Sequence, residues 1–269
     1  MFKNKTILVT GGTGSFGKEF IKTLSKKYGN QIKKLIIFSR DELKQYEMSQ
    51  IFDEKKHPYI RFFIGDIRDR ERVYKALKDV DYVIHAAALK QVTTSEYNPF
   101  ETIKTNVLGT QNIVDACIDN KVKKLVSLST DKASSPINLY GATKLCADKL
   151  VSSSQNTKGK IDYTACVVRY GNVMGSRGSV LPEFIKQNKN SLFKITSADM
   201  TRFNILLEEG VDLVLWSLKN ARGGEIFVPK IPSFKIMDLA RAIRPTCKIK
   251  IVGIRPGEKI HEEMISSSE

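Results

Sequence analysis

Tyr140 and Lys144 stand four residues apart in LYGATK, so on a helix they share one face. A lysine beside a tyrosine lowers the phenol's pKa, which makes phenolate available near neutral pH as a base for a hydroxyl proton. The same ammonium can hold a ribose. Upstream, an apolar run ends in Ser129-Thr130 and is followed at once by Asp131 and Lys132. Taken in isolation, those two charges would suit a solvated loop at a strand end.

A second chemical signal lies near the amino end, where TILVT runs into TGGTGSFG. Gly11 gives the backbone freedom that a tight turn needs, and Gly14 lets the chain approach a diphosphate without a side chain in the way. Gly17 lets the following helix pack close, and that helix's amino end offers N–H donors and positive potential. A glycine pattern after a strand and before a helix marks a dinucleotide site. The second apolar run ends at Ser39-Arg40, where a carboxylate would serve the ribose hydroxyls of NAD and an arginine a 2′-phosphate. Arg40 favours NADP; Asp41, its neighbour, keeps the alternative open, as does a plain surface role for the arginine. Asp66, in FFIGDIRD, suits either a hydrogen bond from the adenine amino group or a helix cap.

These groups need a scaffold. Nearly continuous apolar runs at Thr6–Thr10, Lys34–Ser39, Ile60–Ile64, Asp81–His85, Lys124–Ser129 and Thr164–Arg169 predict parallel strands covered on both faces. Helix-like stretches at Phe16–Lys27, Asp41–Phe52, Glu71–Leu77, Pro99–Asn120 and Leu139–Ser154 separate them. The alternation predicts an α/β fold, a Rossmann-type doubly wound parallel sheet, over residues 1–174. Residues 175–269 are expected to form a smaller C-terminal substrate lobe. In it, Gly175–Ser179 predicts a flexible loop, Leu181–Asn188 a helix, and Glu209–Lys219 an amphipathic helix packed in the lobe's own core. A strand at Glu225–Val228, a helix at Lys235–Ile243 and a strand at Lys248–Val252 complete it.

The net charge of +15 raises nucleic-acid binding, but the lysines are dispersed in pairs and no nucleic-acid motif is present. Solvated faces and polyanionic ligands account for the charge instead. Four cysteines without a CxxC pair and three scattered histidines give neither a zinc nor a disulfide pattern. His85 ends a strand and is expected to be packed. With no signal peptide and no apolar run long enough to span a bilayer, a cytoplasmic protein with no membrane association is expected.

The strings TGGTGSFG, HAAAL, STDKA and YGATK, in this order, resemble the extended short-chain dehydrogenase/reductase superfamily. FSRDELKQ, RFFIGDIRD, SPINLYGATKL, VRYGNVMGSRGSV, MTRF and GIRPGEKIHE narrow the resemblance to the inverting UDP-N-acetylglucosamine 4,6-dehydratases, and it spans nearly the whole chain. The resemblance implies NADP that stays bound and is recycled, a UDP-hexosamine substrate and a homo-oligomer. It also gives roles. Tyr140, with Thr130 and Lys144, would deprotonate the sugar's 4-hydroxyl during transient oxidation at carbon 4. Lys132 would remove the carbon-5 proton, which requires a neutral amine, and Asp131 would protonate the departing 6-hydroxyl. Hydride return to carbon 6 and reprotonation on the opposite face would invert carbon 5. Related dehydratases that retain configuration carry Asp-Glu in place of Asp131-Lys132, and long membrane-anchored relatives have methionine in place of Tyr140.

The resemblance assigns the cofactor to Thr13, Ser15 and Phe16 beside the glycines, and to Ser39, Arg40, Asp41, Glu42, Leu43 and Lys44. Asp66, Ile67, Ala86, Ala87, Lys90, Thr105 and Val173 would complete that site, with Tyr140 and Lys144. The sugar nucleotide would meet Lys90, Asn172, Leu181, Arg202, Arg255 and Glu258. For Arg202 and Arg255 a surface ion pair is the competing reading. Two departures bear on substrate preference: Gln91 and Thr93 stand where many relatives have histidine and proline. The chain also stops soon after RPGEKIHEEMI, where relatives continue, so a shortened second lobe is expected. A UDP-sugar 4-epimerase and a silent nucleotide-binding module remain alternatives.

Overall fold

A computed structural model describes residues 1–176, 179–187, 192–267 and 269. Strand β1 (Thr6–Thr10) leads to helix α1 (Ser15–Tyr28), β2 (Lys34–Ser39) to α2 (Glu42–Ile51), and β3 (Ile60–Ile64) to α3 (Arg70–Ala76). After β4 (Tyr82–His85) come α4 (Val92–Tyr97), α5 (Pro99–Ile103), a π-helical turn (Lys104–Leu108) and α6 (Gly109–Asp119). Then follow β5 (Lys124–Thr130), α7 (Leu139–Thr157), β6 (Thr164–Tyr170), β7 (Asn172–Val173) and α8 (Val180–Lys186). The remainder comprises β8 (Phe193–Ile195), β9 (Thr201–Ile205), α9 (Leu207–Asn220), β10 (Ile226–Phe227), β11 (Ser233–Lys235), α10 (Ile236–Ile243) and β12 (Ile249–Ile251).

Seven strands form one parallel sheet in the order β3-β2-β1-β4-β5-β6-β10. Its strand order reverses between β1 and β4, and ligands of such sheets sit beyond the carboxyl ends of the strands at that point. Apart from the edge strands β3 and β10, its strands are buried on both faces, which is why they read as unbroken apolar runs. Ile7 and Val9 pack with Phe20, Ile21 and Ile37 on one face, whereas Leu8 joins Ile36, Val83, Ile113 and Leu125 on the other. A separate small core of Phe184, Phe193, Ile195, Met200, Ile236 and Ala240 holds the second lobe, with the first two rings stacked 4.5 Å apart.

Packing crosses the expected division at residue 174. Helix α9, predicted as core of the second lobe, puts Val211, Val214 and Leu218 into the same cluster as Ile7 and Phe20. Strand β10 pairs with β6 at the edge of the main sheet. The amphipathic pattern identified the helix but carried no information about which sheet its face would meet.

The predicted continuous helix Pro99–Asn120 is broken by the π turn. There Asn106 turns inward: its Oδ1 accepts from Leu89 N (2.8 Å), and its Nδ2 donates to Leu89 O (2.9 Å) and Thr143 Oγ1 (3.1 Å). Such single π turns re-aim side chains at functional sites, and here Thr105 reaches the cleft described below. Of the predicted loop Gly175–Ser179, Arg177 and Gly178 lie outside the described residues, as does Asn188 at the end of the helix expected over Leu181–Asn188. No described helix is long and apolar enough to cross a membrane.

Candidate active site

A cleft of about 810 Å³ opens over the switch point, between the main sheet and the second lobe. Its floor is the β1–α1 turn. Gly11 has φ +64°, and a Cβ there would come within 2.9 Å of the Ala87 backbone, so only glycine lets the turn lie against the end of β4. Gly14 precedes α1 and no side chain caps the helix there, so the positive helix end faces the cleft. Thr13, Ser15, Phe16 and Gly17 complete this wall. A diphosphate fits this floor on shape and on charge.

Ser39, Arg40, Asp41, Lys44, Asp66, Ile67, Ala86, Ala87, Lys90 and Thr105 line the same cleft. Glu42 and Leu43, expected to join them, do not line it. Asp41 caps α2 by accepting from Lys44 N (3.0 Å), and the next two residues belong to the outward side of that first turn, with Leu43 exposed. Arg40 is half exposed and lies 3.6 Å from Asp66 Oδ2. Partial burial pushes the Asp66 carboxyl up, but Arg68, donating at 2.7 and 2.9 Å, outweighs it and holds the group below its usual range. Asp69, not Asp66, caps α3. Burial lowers Lys90 from the ordinary lysine value.

The other end of the cleft is built where β5 stops. Thr130 is followed by a single 3₁₀ turn, Asp131–Ala133. Asp131 is fully buried, and its Oδ1 accepts from Thr130 Oγ1 and from Lys132 Nζ, both at 2.9 Å. Lys132 lines the cleft, and its Nζ also donates to Asn172 Oδ1 (3.3 Å) and pairs with Glu262 Oε1 (3.4 Å). Helix α7 presses on this turn. A Cβ at Gly141 would sit 2.2 Å from the Lys132 carbonyl oxygen, so glycine is what permits the approach. Asn138 caps α7 by accepting from Gly141 N (2.8 Å).

Tyr140 and Lys144 share one buried face of α7 and both line the cleft. The expected lowering of the Tyr140 pKa is reversed here. Burial pushes the phenol well above its ordinary value, and Asp131 and Asp148 add to that, while a hydrogen bond from Thr130 pulls the other way. Lys144 spends its proton elsewhere: Nζ donates to Leu128 O (2.6 Å), and burial lowers its own pKa. Thr130 has one hydroxyl proton and two neighbours that want it, Asp131 and Tyr140, which ties the state of one to the other.

His85 is packed as expected, bonded to Thr10 Oγ1 (2.8 Å) and Thr110 Oγ1 (3.1 Å), and burial pushes it down to about 3. Asn172, Val173, Arg255 and Glu258 line the cleft, with Gln91 and Thr93 opposite them. Leu181 and Arg202 do not. Arg202 instead donates to the Thr201 (2.6 Å) and Ile260 (3.1 Å) carbonyls, tying β9 to the segment beyond it, and no ion pair engages it among the described residues. In place of Leu181, α8 and the residue before it turn Glu183 and Ser179 toward the cleft.

Three buried charges escaped the sequence reading. Asp148 continues the four-residue spacing of Tyr140 and Lys144 on α7, a signal that was present. Arg169 interrupts the apolar run TACVVRY and is 1% exposed, bonded to Asp148 (3.2 Å) and Glu269 (2.7 and 2.8 Å). Glu262 left no such signal in a polar stretch.

The parallel sheet, the glycine turn at its switch point and the Thr130, Tyr140 and Lys144 group give the chain the architecture of the extended short-chain dehydrogenase/reductases. Within that class the chain belongs to the polysaccharide biosynthesis protein family, whose model matches residues 7–269. It is 56% identical over its whole length to the UDP-N-acetylglucosamine 4,6-dehydratase (inverting) of Campylobacter jejuni, covering 80% of that protein. A UDP-glucose 4-epimerase of Rickettsia felis is 45% identical, again over the whole chain and 80% of the relative. The X-ray structure of Pen from Bacillus thuringiensis superposes with a TM-score of 0.94 at 42% identity, over 100% of this chain and 85% of that one.

Proposed function

We propose that the chain is a UDP-N-acetylglucosamine 4,6-dehydratase that inverts carbon 5, with NADP as a resident cofactor. The observation that carries this is the Asp131-Lys132 turn directly after Thr130: Lys132 lines the same cleft as Tyr140 and Lys144, whereas Asp131 is buried off the lining and bonded to Lys132 Nζ. The likeness to the Campylobacter dehydratase supports the substrate. The residues of the β1–α1 turn and the cleft would hold the cofactor, and a bound nicotinamide would supply hydride acceptance from carbon 4 and hydride return to carbon 6.

The chain's own residues do the rest. The β1–α1 turn and the α1 amino end hold the diphosphate, and Arg40 supplies a guanidinium for a 2′-phosphate. Tyr140 receives the 4-hydroxyl proton, with Thr130 donating to its oxygen and Lys144 close on the same helix face. The carbon-4 ketone acidifies carbon 5, whose proton passes to the Lys132 amine. Asp131 protonates the oxygen leaving carbon 6, which departs as water. Arg255, at the cleft's second-lobe side, suits the UDP diphosphate. Exposed aromatic rings at Tyr97 and Phe100 support a homo-oligomer, tested by sedimentation.

The test is incubation with UDP-N-acetylglucosamine in D₂O, followed by mass spectrometry and NMR. Loss of one water with deuterium at carbon 5 and an inverted 4-keto product is expected. The Rickettsia relatives motivate the competing reading: a 4-epimerase would return a product of unchanged mass. Nucleotide released by denaturing the purified protein should be NADP; recovery of NAD alone would remove the role given to Arg40.

A further inference from the structure

The described residues after Gly257 form no helix or strand, yet they are fastened to the segment that joins the catalytic turn to α7. Asn138 donates to Gly257 O (2.8 Å), Lys259 Nζ to Ser134 O (2.9 Å) and Ser135 Oγ to Glu263 Oε2 (3.0 Å). Between these ties it delivers Glu262, whose side chain is only 4% exposed and whose Oε1 lies 3.4 Å from Lys132 Nζ. Glu262 Oε2 and Asp131 Oδ2 are both buried without a hydrogen-bond partner. One ammonium therefore stands between two buried carboxylates. Placing a second carboxylate there costs desolvation, and none of the three apolar cores includes the segment that carries it.

We propose, resting on the dehydratase reading above, that Glu262 is a positioning residue for the elimination. It holds Lys132 Nζ together with Asp131, and it supplies the negative charge that receives the ammonium formed when carbon 5 loses its proton. The step balances around this triad. The C5–H bond breaks, its proton goes to the Lys132 amine, and its electron pair forms the C5–C6 double bond. The C6–O bond breaks with its pair, and the Asp131 proton joins that oxygen to make water. The triad carries one negative charge before and after: first on Glu262 alone, then on two carboxylates against one ammonium. Charge thus develops on Lys132 in the transition state, and a fixed carboxylate beside it acts where it lowers the barrier. Asp131 cannot serve for this alone, because it must hold a proton until the hydroxyl leaves.

The experiment compares wild-type holoenzyme with Glu262→Gln and Glu262→Asp, using UDP-N-acetylglucosamine. Glu262→Gln keeps an acceptor oxygen and loses the charge. Its kcat is expected to fall about ten-fold or more with KM changed by less than about two-fold. Reduced-nicotinamide absorbance should build up during turnover, since carbon 4 is still oxidised while carbon 5 waits. Glu262→Asp, which keeps the charge, should recover most of the rate. Wild-type kcat in Glu262→Gln, or a lower rate with no such build-up, overturns the proposal. A wild-type chain that releases no water sinks the dehydratase reading itself, and this proposal with it.

Discussion

Two clusters of buried charge flank the carboxyl ends of β5 and β6, and they have the same stoichiometry: one cation between two carboxylates. Arg169 sits between Asp148 and Glu269, and Lys132 between Asp131 and Glu262. In each, one carboxylate comes from the irregular segment after Gly257. The clusters differ in the cation and in access. Arg169 is 1% exposed and off the cleft, whereas the Lys132 side chain is 19% exposed and lines it. A guanidinium does not give up a proton in a protein, and an ammonium can. The same device is therefore a fastening in one place and a proton-handling site in the other, and the choice of cation separates the two uses.

The comparison breaks most sharply at its cations. Lys132→Arg keeps the charge and removes the base, and is expected to lower kcat about 10²–10⁴-fold with an unchanged thermal midpoint; measurable dehydration would show that the proton goes elsewhere. Arg169→Ala should do the opposite. Leaving Asp148 and Glu269 without their cation, each with only a serine donor (Ser129 and Ser266), should cost about 3–5 kcal/mol in urea unfolding, with activity per folded molecule largely kept. Gly141→Ala tests whether the lysine cluster depends on how closely α7 approaches it. The added methyl would meet the Lys132 carbonyl, costing about 1–3 kcal/mol of stability and lowering kcat while leaving cofactor retention intact. The smallest effect is on pH. The hydrogen bonds from Arg169 hold Glu269 down at about 2. A depressed carboxyl stabilises the fold above its unfolded value, about 4.3, and that contribution fades as pH falls toward 2. The stability gap between wild type and Glu269→Gln, followed by acid titration, should close across that window; a constant gap would mean that the charge is not what Glu269 contributes.

Most of the sheet was legible because β1, β2, β4, β5 and β6 are buried on both faces and so announce themselves as apolar runs, and the half-exposed edge strand β3 keeps an apolar run of its own. The cleft residues that follow a strand end, Gly11, Arg40, Asp66 and Thr130, were legible for the same reason: their place is fixed by an element that is easy to recognise. What failed depended on tertiary choice. The Glu209–Lys219 pattern specified a face but not its partner, and the π turn at Lys104–Leu108 disturbs a helical periodicity by one residue inside a run that still looks helical. Arg202, expected to meet the ligand, bonds the Thr201 and Ile260 carbonyls through Nη1, a tertiary contact that no sequence pattern announces. Glu262 was invisible, since its burial follows from hydrogen bonds made by the Gly257 carbonyl and the Lys259 and Glu263 side chains rather than from any pattern of its own. Tyr140 is the instructive error: a neighbouring lysine was weighed without the burial and the two carboxylates that oppose it.

The ties after Gly257 also set an order of events. Asn138 and Gly257, whose tie helps deliver Glu262, are 119 residues apart, so that contact is expected to close after the local and sheet contacts that hold the dinucleotide floor. During refolding, nucleotide binding should return before turnover does. Activity in this chain is thereby a report that folding has finished, where cofactor binding reports only that it has begun.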